Sequence, residues 1–293
     1  RIGNLDTIPA GGIRVATSAD IYNDSSGVIQ VNAIYGLDHD AIVIEGSNSH
    51  LNNQGLIEIG GFTQIAGYGI RVSGNGTLAN GFSGLIEIDS ITGAGKDGIT
   101  IEQNGHLINE GDLRMGSNSP VNRYGISLTT LGDLMNHPSG TISIDQVQSA
   151  LYAFGTGVLA KNEGEIRIGS ISTVSANGIL LSGLAEMIND SSAEVFIDQC
   201  LHAVSIDNQA KLTNNAGIHI GSLLPITGNG ISLASGGDMV NLDSANVEIN
   251  RTNHAIFATA FGSTLANEGI FRIGNIASSN NGISLASSAS LNN

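Results

Sequence analysis

Residues Gly98 to Gly116 read GITIEQNGHLINEGDLRMG. Three short apolar pieces, Ile99-Thr100-Ile101, Leu107-Ile108-Asn109 and Leu113-Arg114-Met115, are separated by Gly, Asn and polar residues. The same order recurs in both directions. Gly69-Ile70-Arg71-Val72 leads to Leu78-Ala79-Asn80 and Ile86-Glu87-Ile88. Gly125-Ile126-Ser127-Leu128 leads to Leu134-Met135-Asn136 and Ile142-Ser143-Ile144. Self-similarity at a fixed period decides the architecture before any local propensity does.

The unit opens at Gly12, Ala41, Gly69, Gly98, Gly125, Ala150, Gly178, Ala203, Gly230, Ala255 and Gly282, at spacings of 25 to 29 residues. The apolar pieces alternate with period two and stop after three or four residues, which is a strand signal and not a helical stripe. Three short strands per unit fit one rung of a parallel β-solenoid. The chain therefore reads as all-β, a right-handed parallel β-helix of about 11 rungs of 25–29 residues with three strands each. The handedness follows from the strong bias of parallel crossovers.

Alternation fixes which side chains face inward. Ile42, Ile70, Ile99, Ile126 and their equivalents form one stacked column, and Ile44, Val72, Ile101 and Leu128 form its neighbour. A polar column closes the second strand: Asn23, Asn53, Asn80, Asn109, Asn136, Asn162, Asn189, Asn214, Asn241 and Asn267, with Asn293 as its next member. Asn accepts left-handed backbone, and stacked amides bond along a column. This column is expected to be structural.

The rungs alternate in kind. One runs Asn53-Gln54-Gly55 or Asn109-Glu110-Gly111 into the third strand. The other carries two extra residues, as in Asn136-His137-Pro138-Ser139-Gly140. The first ends its third strand on Gly60, Gly116, Gly169, Gly221 or Gly274; the second on Asn32, Asp89, Asp145, Asp198 or Asn250. The super-repeat is thus two rungs, and one corner bulges on every other turn, offering a groove every second rung. Arg1 to Leu5 matches Arg272 to Ile276, the tail of a rung, and Leu291 to Asn293 matches the end of a second strand. The chain accordingly reads as a single solenoid segment, residues 1–293, cut from a longer array.

Composition excludes several functions. A net charge of −15 with only three lysines does not suit a nucleic-acid groove. No apolar run of about 18 residues offers a membrane span. The single Cys200 rules out an intrachain disulfide and, beside strand residue Ile197, reads as a small buried hydrophobe. No catalytic, cofactor-binding or metal-binding set is expected, and the chain is not read as an enzyme. Asp89, Asp145 and Asp198 share one corner but lie two rungs apart, roughly 9.6 Å at the inter-strand spacing, and read as turn formers. Calcium at that corner is the weaker alternative, since the Gly-rich calcium-binding nonapeptide is absent. His202 and His254 occupy equivalent positions two rungs apart, too far to share one zinc. Along the outward side of the third strand, Glu87 faces Arg114 and Glu248 faces Arg272 across rungs, and Phe196 is expected to be exposed.

The pattern Gly-Ile-x-Leu, Leu-x-Asn-x-Gly and Ile-x-Ile-Gly resembles the β-helical repeat regions of very large secreted bacterial surface proteins and adhesins, especially of the Bacteroidota type. That resemblance implies an extracellular or cell-surface location and a stalk, fibre or adhesive appendage. It implies as partners other copies of the chain in an oligomer or fibre, and cell-surface glycans or other cells. The Asn column also resembles that of pectate-lyase-type enzymes, which makes a carbohydrate-binding or polysaccharide-degrading β-helix the alternative.

Overall fold

The computed structural model describes residues 11–34, 39–275 and 279–293. They form a right-handed parallel β-helix. First strands, from Ile13–Ala16 to Asn281–Leu285, make an 11-stranded parallel sheet. Second strands, from Asp20–Asn23 to Ser290–Asn292, make another. Third strands, from Val28–Val31 to Ile270–Ile273, make a 10-stranded sheet. Every strand pairs with its equivalent one rung away. Ile70, Ile99 and Ile126 are direct register partners, as are Leu78, Leu107 and Leu134. Among the described residues no helix is long and apolar enough to cross a membrane.

The core is the set of columns the alternation dictates. Ile42, Ile70, Ile99 and Ile126 are completely buried, as are Leu51, Leu78 and Leu107. Burial is incomplete towards both ends of the described residues: Ile13, Ile21 and Ile29 in the first rung and Phe271 and Ile273 in the tenth are partly buried, and Ile283 in the last is 47% exposed. A fourth column runs through the connections after the third strand: Ile34, Ile65, Ile91, Val121, Val147, Val174, Cys200 and Ile226, all buried. Its first four members are joined by isolated parallel bridges. Cys200 is one stone in this column, and burial pushes its thiol up to about 12.

The two-rung alternation has a steric origin. Odd rungs bulge between the second and third strands, as at Asn136 to Gly140. Even rungs turn tightly there and instead project a loop after the third strand. Even rungs cross that third corner in nine residues (60–68, 116–124, 169–177, 221–229); the odd third rung also takes nine (89–97), and from the fifth rung on odd rungs take five (145–149, 198–202). A projecting loop does not fit within one rung rise of ~4.8 Å; two rises approach the ~10 Å that a layer with side chains occupies. From the fifth rung on, bulges on successive rungs are therefore placed at different corners. The shrinkage of the double period from 57 to 52 residues follows from the shorter odd crossings.

Each tight turn lies under its neighbour's bulge. A Cβ at Gly164 would sit 2.3 Å from both Gly140 O and His137 O, which favours glycine there, although Ala216 takes the equivalent place in the eighth rung. The serine before the last bulge residue ties the two rungs: Ser139 Oγ donates to Glu110 O at 2.7 Å, and Ser83 Oγ to Gln54 O at 2.8 Å.

Candidate functional site

The Asn column is a continuous ladder. Each Nδ2 donates to the Oδ1 of the next Asn at 2.7–2.9 Å from Asn23 to Asn267, and Asn267 donates to Asn293. Each amide also serves backbone. Asn109 Nδ2 reaches Gly111 O at 3.0 Å and Thr141 O at 3.3 Å. These side chains are buried between rungs, so their hydrogen-bonding capacity is spent on the fold.

The carboxylates at the third corner are not local turn formers. Each accepts backbone N–H groups from the loop of the following even rung. Asp89 Oδ1 takes Asn118 N at 3.2 Å and Ser119 N at 3.3 Å. Asp145 Oδ1 takes Ile171 N and Ser172 N at 2.9 and 3.0 Å, and Asp198 Oδ1 takes Leu223 N and Leu224 N at 3.1 and 3.0 Å. Asn32 does the same for Phe62 N at 3.4 Å. Burial raises the Asp145 carboxyl above its ordinary range, against the pull of these N–H donors. The projecting loops begin on a left-handed glycine, Gly116 at φ 64°, which turns those amides toward the acid.

The same odd-to-even interface has a second set of caps just before the first strand. Asp40 Oδ1 accepts Tyr68 N at 3.1 Å, Asp97 Oδ1 accepts Tyr124 N at 3.3 Å, Ser149 Oγ accepts Asn177 N at 3.3 Å, and His202 Nδ1 accepts Asn229 N at 3.1 Å. Three residue types fill one role. His202 must be neutral to accept, and burial holds its pKa below the ordinary value. Sequence reasoning paired His202 with His254 by position and did not see Asp40 and Asp97 as their counterparts, because only the acceptor function is shared.

A concentration of ionisable and aromatic groups lies on the outer face of the first-strand sheet and the connections beside it, in rungs two to six. Arg71 Nε donates to Asp40 Oδ2 at 2.8 Å and lies 3.7 Å from Glu102. Buried Asp97 receives Thr100 Oγ1 at 3.0 Å; desolvation pushes its carboxyl up to about 6, with Arg123 opposing. Lys96 lies over the Tyr68 ring at 4.3 Å and Arg123 over Tyr124 at 4.2 Å. Tyr124 stacks on Tyr152 at 4.4 Å. Burial and the neighbouring Asp97 and Asp40 carboxylates raise the Tyr68 hydroxyl. Among the described residues no group of three or more His, Cys, Asp or Glu is placed to hold a metal ion.

On the third-strand face Arg114 lies 3.6 Å from Glu87 and Arg272 3.5 Å from Glu248, as the register requires. Phe196 departs from expectation: it is half-buried, with the Arg167 guanidinium 4.8 Å from its ring centre and the His219 ring stacked at 4.9 Å. Neighbours one rung away cover it. The most exposed phenylalanines are instead on loops, Phe62, Phe82 and Phe261 at 71–83% exposure, while Tyr22 is 73% exposed on a second strand.

Comparison with family models, with curated proteins and with solved structures gave no match to the chain.

Proposed function

We propose that this chain is a rigid structural segment of a secreted filament, stalk or adhesive appendage, acting by reach and side-to-side association and not by catalysis. The observation that carries the reading is the fate of its recurring polar residues. The Asn ladder and the Asp, Ser and His caps are consumed in joining one rung to the next, at all three members of the acidic corner series. A sheet ladder of this kind resists bending and shear because every rung is bonded along both strand backbones and side chains. The acidity keeps the surface soluble and self-repelling. Imaging the protein on its native cell surface is the test: straight rods or bundles are expected, and a compact, freely diffusing monomer would contradict the proposal.

A second reading, a carbohydrate-binding or polysaccharide-degrading β-helix, is favoured by the Asp40, Arg71, Asp97 and Tyr124 cluster, where a buried acid with a raised pKa lies beside cations and aromatic rings. A glycan array together with a lyase assay in the presence of calcium separates the two. Retained glycans or released unsaturated sugar, abolished by Asp97→Asn, would support this second reading over the first.

A further inference from the structure

The projecting loops of the third corner form a row of teeth. The residue two past each left-handed glycine is Phe62, Asn118, Ile171 or Leu223. Three of these four are large apolar side chains, 71, 68 and 68% exposed. Each has its backbone N–H pinned by the Asx side chain of the rung below. Exposed apolar residues are commonplace singly; here they recur at one register position on loops held in place.

Between the teeth the short odd crossings leave recesses. One, of about 450 Å³, lies between the loops of Asn118 and Ile171 and is lined by Pro120, Val147 and Thr173 among others. The next, of about 220 Å³, lies between the loops of Ile171 and Leu223 and is lined by Val174, Leu201 and Pro225. Teeth and recesses share the two-rung pitch, ~9.6 Å.

This edge also exposes little charge on an acidic chain. In its connecting segments from Gly60 to Asn229, the carboxylates Asp89, Asp97, Asp145 and Asp198 are all buried. Lys96 and Arg123 are folded over tyrosine rings. Two copies that each carry a net charge of −15 repel one another overall, and no exposed carboxylate of these segments adds to that repulsion here.

We propose that this toothed edge is a homotypic docking surface on which a second copy of the chain seats antiparallel about a two-fold axis, Ile171 entering the recess beside Leu201 of the second copy and Leu223 the recess beside Val147. One two-fold placement satisfies both insertions. Numbering rungs along the axis, teeth at rungs six and eight meet recesses at rungs seven and five, and the symmetric contacts follow automatically. The placement that shifts the axis by one rung would bring polar Asn118 to the Leu201 recess instead.

The proposal rests on the rod reading above and specifies which side of the rod associates. Its test is sedimentation equilibrium of the full chain over a concentration series, beside an Ile171→Ser/Leu223→Ser variant. Both side chains are mostly in water, so the variant should keep the parent circular dichroism and melting temperature. The parent is expected to dimerise, and the variant to dissociate at least tenfold more readily. An Ile171→Cys/Leu201→Cys variant is expected to form a disulfide-linked dimer under mild oxidation. A parent that stays monomeric at all concentrations overturns the docking edge while leaving single rods intact. Association equally strong in the serine variant also overturns it and assigns self-assembly to another surface, the open strand edges included.

Discussion

The corner after the second strand and the corner after the third solve one problem, joining successive rungs, in different ways. At the second corner the Asn side chain lies inside the rod and a single residue type suffices: eleven described rungs place Asn there, each of the first ten donating to the next. At the third corner the chain swings outward, and the cross-rung acceptor is Asp89, Asp145, Asn32, Asp97, Ser149 or His202 according to place. The difference is geometric. A buried amide between two stacked copies of itself must donate upward, accept from below and satisfy local backbone at once, and only a carboxamide of that length does so. A loop whose amides merely need one acceptor tolerates any short acceptor, and it leaves its own tip free to vary.

This contrast can be broken most severely from the second corner. Asn136→Ala removes the acceptor of Asn109, the donor to Asn162 and the donor to Gly140 O and Glu165 O. At ~1 kcal/mol or more for each stranded buried group, a loss of about 3–4 kcal/mol is expected in urea unfolding. Gly164→Ala should cost about 1–3 kcal/mol by overpacking against two carbonyls that cannot retreat, read as a lower denaturation midpoint.

At the third corner the effects are smaller and depend on pH. Asp97 has its folded pKa raised to about 6, so the folded state binds more protons than the unfolded one between the ordinary value of 3.8 and that point. Stability is therefore present at low pH and lost as pH rises through about 6. Asp97→Asn should raise stability at pH 7 by on the order of 2 kcal/mol and leave it unchanged near pH 4, measured by urea midpoints at the two values. His202 has the opposite sign. Its folded pKa is lowered, so its contribution is full above 6.5 and lost as pH falls below it. Asp145→Ala, which strands the Ile171 and Ser172 amides, should cost ~1–2 kcal/mol. Asp145→Asn, which keeps an acceptor and removes a buried charge, should cost little; equal losses in the two variants would show that the charge and not the acceptor holds the loop. The smallest effect belongs to Glu87→Gln, below ~1 kcal/mol for a solvent-exposed pair with Arg114.

The same contrast explains what the sequence disclosed. Strands, register and the Asn ladder were legible because each repeats one residue class at one spacing: Ile70, Ile99 and Ile126 announce a column, and Asn80, Asn109 and Asn136 another. The cap series was not, because Asp97, Ser149 and His202 share no chemistry apart from an acceptor lone pair, and their partners lie about one rung further along the chain. The fourth column was hidden for a related reason. Val147, Val174 and Cys200 stand singly in polar loops, without the alternation that marks a strand. Phe196 was misplaced because outward on a strand was equated with exposed, whereas Arg167 and His219 stack over it from the adjacent rungs. The teeth were invisible because Phe62, Ile171 and Leu223 look like stray apolar residues until the loops are aligned on their glycines.

Hydrogen exchange at the side-chain amides of the asparagines tests the central claim, that the rungs are locked together by a continuous internal ladder. In a protein with its asparagine amides labelled with ¹⁵N, the Nδ2 protons of Asn80, Asn109, Asn136 and Asn162 are expected to exchange as slowly as the backbone amides of the core strands, while exposed Asn104 exchanges freely. Fast exchange at Asn109 and Asn136, indistinguishable from Asn104, would contradict it.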